Sequence, residues 1–421
     1  NSIGSYKSLL FERNRAVIVW FEFLFGLALP FVAVMTLLPG YFDYLGVSKV
    51  WIGALPALQC GVTVLVQPWS IYRIRPGKRR LRNMRLAYTS CGLSYVVLGI
   101  LVMRGGMPPA LAVFATLLAV MIFSVAAAVA DPHYYVYVVE SVDALIRGRY
   151  FGLRLAFSST GGMIGGLLAA LILRDLHAPM NFGLCILLGG ILLAASTLIW
   201  NFYRKSEETT PPRNTTGFRH FIGRRIWTFL QERDFRVFAV SVILFGLSTL
   251  AYPFLALLIK AKLGASDQVF GLLAGVAMAG CLFTSCLLGV VCDRWNARWS
   301  VALSLVLYML GVLGCLLLHD RVGLFLSYAL TAVWIPSQAI GISDMALRLA
   351  PDATPSEIFT IKTLVLAPPQ VLGPMLAGAA IDRWSFEPLL YFCLLCAVVS
   401  LLVLSRCRYT LYLKKPACGV T

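Results

Sequence analysis

Apolar residues run along this chain in continuous blocks of roughly 20, and short polar stretches separate one block from the next. A helix needs about 20 apolar residues to cross the roughly 30 Å hydrocarbon core of a membrane. The blocks show no alternation with a period of two, so helices fit them and strands do not. The pattern therefore predicts an all-α membrane protein.

Twelve blocks of this kind occur, and each predicts one membrane-spanning helix. The predicted spans are residues 17–39, 50–72, 84–103, 110–138, 152–174, 182–203, 237–260, 268–291, 299–318, 323–345, 359–381 and 388–405. Composition agrees, because only 13% of the residues are charged, about half the share in a soluble domain. We expect an integral, multi-pass protein of a cell (inner) membrane, in contact with the lipid bilayer.

The basic residues are distributed unevenly between the two sides of the predicted membrane. Of the 36 lysines and arginines, seven fall in loops on one side and the other 29 lie on or near the opposite side. Basic residues are retained in the cytoplasm, so both termini are predicted to be cytoplasmic. The basic stretch at 73–85 lies between two spans and is typical of a cytoplasmic loop, so no nucleic-acid partner is expected.

One short sequence occurs twice in the chain. LGVSKVWIGAL at 45–55 returns as LGASDQVFGLL at 263–273, 218 residues later. Other matches follow at similar distances, such as Phe25 with Phe245 at 220 and Gly165 with Gly373 at 208. We infer a duplication into two parallel repeats: a six-helix bundle at 1–203, a cytoplasmic linker with an interfacial amphipathic helix at 204–236, and a second six-helix bundle with a short tail at 237–421.

A further sequence, after the second and eighth predicted spans, resembles a known motif. The second copy, GVVCDRWNAR, contains Gly289, Asp293, Arg294 and Arg298. The first copy, SIYRIRPGKR, contains Arg75, Gly77 and Arg79. With two six-helix bundles and a long central loop, the chain resembles the major facilitator superfamily of secondary transporters.

The resemblance implies a mechanism as well as a fold. In the family, this motif makes charge contacts that latch the outward-facing state, so its residues here are candidates for gating. Ser70 and Ile74 stand where the first copy should have Gly and Asp. Asp293 is therefore the better candidate for the acidic group of the latch.

Ionisable residues inside predicted spans are costly in a bilayer and so point to function. Glu22 lies in the first span, and Asp131 and His133 lie in the fourth. The resemblance implies that both spans face a central cavity, where these three residues would carry a coupling proton, since His titrates near neutral pH. The alternative is structural: Glu22 would pair with Arg15 or Arg154, and Asp131 would mark a proline kink.

Other charged residues occur at matching places near the cytoplasmic ends of the spans. Glu140 is expected to pair with Arg149 or Arg154, and Asp344 is expected to pair with Lys362. These positions favour charge pairs between helices over substrate contacts.

A substrate cavity is expected near the middle of the membrane, between the two halves. Polar and aromatic residues predicted at that depth are Gln59, Thr249, Tyr252, Trp334, Gln338 and Gln370. No basic residue is predicted at mid-span, so a neutral, zwitterionic or cationic solute fits better than a multiply anionic one.

The sequence gives no indication of an enzyme. It contains no Walker-type phosphate loop, no metal-ligand spacing and no nucleophile motif, so no metal and no cofactor are expected. The leading hypothesis is a monomeric, proton-coupled secondary transporter of a small organic solute. The alternatives are an exporter or flippase of amphipathic drugs or lipids, and a receptor or scaffold that kept the fold without transport.

Overall fold

The computed structural model describes residues 2–73, 78–140, 147–204, 231–349 and 355–407. These residues contain twelve helical segments that are long and apolar enough to cross a membrane, which confirms the predicted fold class. We number them spans 1 to 12 in chain order. Their bounds are Glu12–Tyr44, Lys49–Ser70, Leu81–Arg104, Pro109–Tyr134, Gly152–Asp175, Met180–Phe202, Arg233–Leu263, Gln268–Arg294, Ala297–Leu317, Arg321–Leu349, Lys362–Arg383 and Phe386–Ser405.

Several helices continue past the apolar segment into the polar region. The continuous α-helices that do so are Ser2–Ala28, Lys49–Arg73, Lys78–Arg104, Pro109–Glu140, Arg147–Asp175 and Pro355–Arg383. The predicted linker at 204–236 lies mostly outside the described residues, since 205–230 are not among them. The predicted amphipathic helix of that linker is therefore not described.

Spans 1 and 7 are interrupted at matching places. Span 1 changes from α-helix to a 3₁₀ turn at Leu29–Val32 and resumes as the helix Leu37–Tyr44. Span 7 changes at Thr249–Ala251 and resumes as Tyr252–Leu263. A proline stands at the start of the 3₁₀ turn in span 1 and of the resumed helix in span 7, and it has no N–H to continue the helical ladder. The shared interruption supports the inferred duplication.

The repeated LGVS and LGAS sequences form the same kind of turn in both halves. Gly46 has φ of 65° and Gly264 has φ of 55°, a left-handed conformation that glycine adopts without strain. Each glycine follows the end of a span, span 1 or span 7, and the next span begins a few residues later. The echo in the sequence is therefore a helix-ending turn, used once in each half.

The spans form two six-helix bundles. In the first bundle, span 3 packs on spans 4 and 6, span 1 packs on span 5, and span 2 packs on span 4. In the second, span 7 packs on spans 11 and 12, and span 10 packs on spans 8 and 9. The connections at 45–48, 105–108, 176–179, 264–267, 318–320 and 384–385 share one face, which we call the short-loop face. The opposite face, where span 1 begins and span 12 ends, is the terminal face.

The bundles meet along two interfaces. Span 2 packs on span 11, and span 5 packs on span 8; we call these the 2/11 and 5/8 interfaces. In the duplication, span 2 corresponds to span 8 and span 5 corresponds to span 11. Each interface therefore joins the same two kinds of span, which allows the two to be compared position by position.

Candidate functional site

Glu22 is the centre of a polar cluster inside the first bundle. The Tyr134 hydroxyl of span 4 donates to Glu22 Oε1 at 2.6 Å. Arg154 of span 5 approaches the same oxygen through Nη1 at 3.2 Å, and its guanidinium lies 5.4 Å from the centre of the Tyr134 ring. Three spans are thus joined at one carboxylate, and the charge pair that the alternative interpretation proposed for Glu22 is made with Arg154.

Asp131 belongs to the same cluster through a second tyrosine. The Tyr88 hydroxyl of span 3 donates to Asp131 Oδ1 at 2.9 Å, and the rings of Tyr88 and Tyr134 lie 6.4 Å apart. Asp131 and Tyr134 are three residues apart and so share one face of span 4. Two carboxylates and one guanidinium are therefore linked by two tyrosines in the described part of the first bundle.

His133 takes a different place from the other two predicted proton carriers. It is buried, with 6% of its surface exposed, and it follows Asp131 by two residues, or about 200° around the helix. The structure brings Glu22 and Asp131 into one cluster and places His133 on another face of span 4.

Sequence reasoning missed the two tyrosines that connect this cluster. Tyr134 had a usable signal, since a residue three positions after a buried acid shares its helix face. Tyr88 had none, because its contact with Asp131 joins positions 43 residues apart.

Lys362 is the counterpart of Arg154 in the second bundle, 208 residues later. Its Nζ donates to the backbone oxygen of Gln338 at 3.2 Å and to Ser343 Oγ at 3.1 Å. Gln338 opens a short π-helix, Gln338–Ile342, within span 10. Such π-turns within helices are frequent at functional sites.

The other predicted charge pairs are only partly described. Asp344 accepts from Arg348 Nε at 2.8 Å, one helical turn later, and from Cys292 Sγ at 3.4 Å. The side chains of Glu140 and Arg149 lie outside the described part of the chain. Arg154, which was expected to pair near the helix ends, contacts Glu22 of span 1.

The gating motif is described in its second copy alone. Asp293 and Arg294 are exposed at the terminal face. Arg298 donates to the backbone oxygens of Ser405 at 2.8 Å and Cys407 at 3.1 Å, so it caps the end of span 12. In the first copy, Arg75 and Gly77 fall outside the described residues, as does the side chain of Arg79.

Three of the six predicted cavity residues pack inside the second bundle. Tyr252 stacks on Tyr328 with ring centres 5.6 Å apart. Trp334 meets Phe245 edge to face at 4.7 Å. Thr249 donates back to Gly246 O at 2.8 Å and is buried. Their described contacts are those of packing residues.

The three predicted glutamines are half-buried and so more accessible. Gln370 Oε1 accepts from Cys60 Sγ at 3.4 Å, across the 2/11 interface. Seven residues further along span 2, Gln67 Oε1 accepts from Thr363 Oγ1 at 3.4 Å across the same interface. Sequence reasoning selected Gln370 and Gln59 here and missed Cys60, Gln67 and Thr363.

A chain of charges closes the short-loop face between the bundles. Asp43 of span 1 accepts from Lys49 and from Lys260 of span 7, each at 3.1 Å. Lys260 also contacts Asp267, at the start of span 8, at 2.8 Å. Lys260 therefore joins the two bundles through one ammonium group.

A second contact closes the same face at the end of the 2/11 interface. Asp382 of span 11 accepts from Ser48 Oγ at 2.5 Å and from the backbone N–H of Lys49 at 2.9 Å. Ser48 and Lys49 stand at the start of span 2, where the backbone N–H groups of the first turn have no partner within their own helix. An acid of one bundle thus caps a helix of the other.

The 5/8 interface is tight at the short-loop face and open at the terminal face. A Cβ at Gly166 would overlap the backbone of Gly275, so the two helices touch there without side chains between them. Toward the terminal face, a Cβ at Gly152 or at Gly289 would meet nothing within 4 Å. The bundles are therefore joined at one face and separate between these spans at the other.

The described residues contain no group of three or more His, Cys, Asp or Glu that could hold a metal ion. The chemistry of the site is that of hydrogen bonds and charge pairs between helices. Together with the twelve spans, this arrangement is that of a polytopic membrane protein.

Comparison with known proteins gives a family match for the second bundle. The family model of the Major Facilitator Superfamily matches residues 237–416, which is the second bundle. A crystal structure of the nucleoside transporter NupG has a TM-score of 0.68 at 12% identity and covers 95% of this chain and 100% of that one.

A second solved structure extends the likeness. It is a bacterial homologue of the human lysosomal transporter Spinster in an inward-facing and unoccupied conformation, with a TM-score of 0.64 at 13% identity, covering 93% of this chain and 95% of that one. No curated protein matches the sequence. The second bundle is therefore similar in sequence to the major facilitator superfamily, and the fold of nearly the whole chain is that of the two solved transporters.

Proposed function

We propose that this protein is a secondary active transporter that moves a small organic solute across a cell membrane by alternating access, with protons as the coupling ion. The observation that carries the proposal is the one-sided closure of the bundles. They are joined at the short-loop face by Asp43, Lys260 and Asp382, while Gly152 and Gly289 stand open at the other face. Alternating access requires such a state and its mirror image.

The orientation follows from the charge asymmetry. The terminal face carries most of the basic residues, so it is the cytoplasmic side and the short-loop face is external. The state described here is then closed to the outside. Both bundles belong to one chain, so a monomer suffices to form both interfaces.

The polar cluster around Glu22 supplies the coupling group. Glu22 holds Arg154 and Tyr134 together while it is charged. A proton on Glu22 removes the attraction to Arg154 and so loosens the contact among spans 1, 4 and 5. Buried charges that lose a partner are strongly destabilised, so the protonation state would bias the conformation of the first bundle.

The gating motif fits the opposite conformation. Asp293 and Arg294 are exposed at the terminal face while that face is open. When the terminal face closes, they come within reach of the first bundle and latch it. Arg298 already binds the end of span 12 and would hold the motif in place.

The test is uptake into proteoliposomes under an imposed pH gradient. The solutes to try are nucleosides, the class named for the nucleoside transporter of similar fold, together with sugars and amino acids. We expect gradient-driven uptake by the unmodified protein. Glu22→Gln should abolish the pH dependence while solute still exchanges, because the group that takes up the proton is lost.

Glu387→Gln is the matched control, because Glu387 is an exposed acid at the short-loop face. Full gradient-driven uptake by Glu22→Gln would remove the proposed role of Glu22. Absence of any solute flux by the unmodified protein would contradict transport and favour the receptor or scaffold alternative.

One observation favours the exporter or flippase as a second candidate. An apolar groove of about 540 Å³ lies between spans 7, 11 and 12, where Leu372, Leu376 and Phe392 form part of its wall. Leu376 is 68% exposed, so the groove opens sideways to lipid. Thermal stabilisation by lysolipids or cationic drugs, without any by polar solutes, would favour this candidate.

A further inference from the structure

We propose that hydrogen-bonding side chains on the 2/11 interface bind the transported solute, and that this solute is uncharged. The side chains are Cys60, Gln67, Thr363 and Gln370, which we call the polar seam. The inference rests on the proposed transport function and adds to it a binding surface and a substrate class.

The polar seam lies at the depth where a carrier must hold its solute. Cys60 is near the middle of span 2, and Gln370 is near the middle of span 11. Gln67 and Thr363 lie seven residues further on, about 10 Å closer to the terminal face, and their bond joins the two bundles there. The seam therefore runs from the centre of the membrane toward the terminal face, which is open between spans 5 and 8.

The bonds within the seam are weak enough to be exchanged for bonds to a solute. Thr363 Oγ1 lies 3.4 Å from Gln67 Oε1, longer than the usual hydroxyl bond of about 2.5–3.0 Å. Cys60 Sγ lies 3.4 Å from Gln370 Oε1, and a thiol is a poor donor. Both bonds occupy an amide oxygen, and each amide also carries two N–H donors.

The members of the seam have different degrees of exposure. Cys60, Thr363 and Gln370 are half-buried, whereas Gln67 is 2% exposed. We therefore assign solute contact to the first three and a positioning role to Gln67, which holds Thr363. The backbone oxygen of Gln370 is a further acceptor, because Pro374, four residues later in the helix, has no N–H to donate to it.

The duplication provides an internal comparison for the seam. Cys60 corresponds to Met278 at the repeat distance of 218, and Gln370 corresponds to Gly162 at 208. The corresponding pair meets in the 5/8 interface, where a Cβ at Gly162 would overlap the Met278 side chain. The same contact is thus apolar in one interface and polar in the other.

Polar groups inside a membrane are costly and mark function by default. If close helix packing were the only requirement, the glycine and methionine of the 5/8 interface would meet it at both places. The amide and thiol at the 2/11 interface therefore need a reason other than packing. Binding a solute that donates and accepts hydrogen bonds is such a reason.

The charges near the seam point to an uncharged solute. Lys362, next to Thr363, turns its ammonium toward span 10, where it donates to Gln338 O and Ser343 Oγ. In the first bundle, Arg154 is held by Glu22. A charged solute would have to leave water for a surface of amides and hydroxyls, which is costly without an opposite charge.

The experiment uses Cys60 as a reporter in the purified, full-length protein. The exposed Cys286 is first replaced by serine to lower the background. The water-soluble thiol reagent MTSET is then applied, with uridine, D-glucose, succinate or choline present, and the modification of Cys60 is followed by mass spectrometry. We expect uridine or D-glucose to slow the modification about tenfold, and succinate and choline to leave it unchanged.

The variant that tests the seam is Gln370→Met, which keeps the side-chain length and removes both hydrogen-bonding groups. We expect it to lose the protection of Cys60, with about a tenfold weaker apparent affinity, as one lost hydrogen bond predicts. Gln268→Met is the matched control, because Gln268 is half-buried at the start of span 8, away from the seam. A melting temperature measured without solute shows that each variant is folded.

Three outcomes would overturn the inference. They are Cys60 that does not react with MTSET, protection by succinate or choline but not by the neutral solutes, and equal protection in Gln370→Met and the unmodified protein. Uptake by proteoliposomes is measured in parallel. If a solute is taken up but does not protect Cys60 from MTSET, this inference is refuted and the transport proposal stands. If neutral solutes protect Cys60 but are not taken up, the transport proposal alone is refuted.

Discussion

The 2/11 and 5/8 interfaces join equivalent spans but differ in the groups that hold them. At the 5/8 interface, Gly166 and Gly275 bring two backbones into contact, and Gly162 receives the Met278 side chain. At the 2/11 interface, Gly53 similarly receives the backbone of Pro374, but polar groups follow it along the membrane. Both interfaces have close contacts at glycines. Side-chain hydrogen bonds across the membrane-spanning part are described for the 2/11 interface.

The same difference appears at the short-loop face. Asp382 is the last residue but one of span 11 and caps the first turn of span 2 across the interface. Asp175 ends span 5 one residue beyond the place that corresponds at the repeat distance of 208, and it pairs with its neighbour Arg174 at 2.6 Å. Both spans thus have an acid near this end, and the acid of span 11, Asp382, contacts the other bundle.

The two interfaces therefore differ in how they respond to substitution. Close backbone contact between small residues gives the 5/8 interface a fixed point of approach in the half nearer the short-loop face. Exchangeable side-chain bonds give the 2/11 interface groups that a solute or a conformational change can take over. We therefore expect substitutions at the 5/8 interface to act through steric overlap, and those at the 2/11 interface to act through lost bonds.

Gly166→Ala should have the largest effect of the changes that test this comparison. The new methyl group would lie about 2.5 Å from the Cα of Gly275, so the spans must move apart. Overpacking of this kind costs about 1–3 kcal/mol, more than the roughly 1 kcal/mol that alanine contributes over glycine in a helix. The measurement is the melting temperature of the purified protein, together with solute flux.

Gly152→Ala is the matched control in the same span. Nothing lies within 4 Å of the added methyl group, so the gain in helix propensity should leave stability unchanged or slightly higher. Equal destabilisation by both substitutions would contradict the role of close approach at Gly166.

Asp382→Asn should have a smaller effect, at the other interface. The amide keeps one acceptor for Ser48 or Lys49 but loses the charge that stabilises the first turn of span 2. We expect a loss of about 1 kcal/mol in the free energy of unfolding. Chemical denaturation in detergent measures this loss, and the reactivity of a cysteine placed at Ser48 reports whether the short-loop face has loosened.

Asp175→Asn provides the comparison at the same end of the corresponding span. Asp175 is 58% exposed and contacts a neighbour in its own span, and exposed pairs contribute about 0–1 kcal/mol. A loss at Asp175 as large as that at Asp382 would show that the acids act equally, and would remove the proposed asymmetry of the short-loop face.

The architecture could be predicted from the sequence because it depends on local and additive signals. Twelve apolar blocks give twelve spans, and the repeat of LGVSK as LGASD locates the turns that Gly46 and Gly264 form. The predicted start of span 7 at residue 237 differs from the observed Arg233 by four residues. Polar residues at the ends of a helix weaken the apolar signal there, so boundaries are less well determined than the spans themselves.

The contacts of the candidate site could be predicted only in part. Glu22 and Asp131 were found because an acid inside a span is conspicuous. The partners Tyr88 and Lys260 lie 43 and 217 residues from the groups they bind, and a single sequence carries no signal of such pairings. Tyr252 and Trp334 were placed in the cavity by depth alone, but depth does not say which way a side chain turns, and both pack inside the second bundle.

Thr363→Val should have the smallest effect on stability and still separates two interpretations of the 2/11 interface. Its hydroxyl bond to Gln67 is 3.4 Å long, so the loss of that bond should cost about 0.5–1 kcal/mol, the low end for a neutral hydrogen bond. If the seam serves binding, the variant melts within a few degrees of the unmodified protein but binds neutral solute more weakly. If the seam serves only to join the bundles, stability falls and solute affinity does not change. Thermal melting with and without uridine or D-glucose distinguishes the two, because a solute at a fixed concentration stabilises the folded protein by RT ln(1 + [L]/Kd), so weaker binding gives a smaller rise in melting temperature.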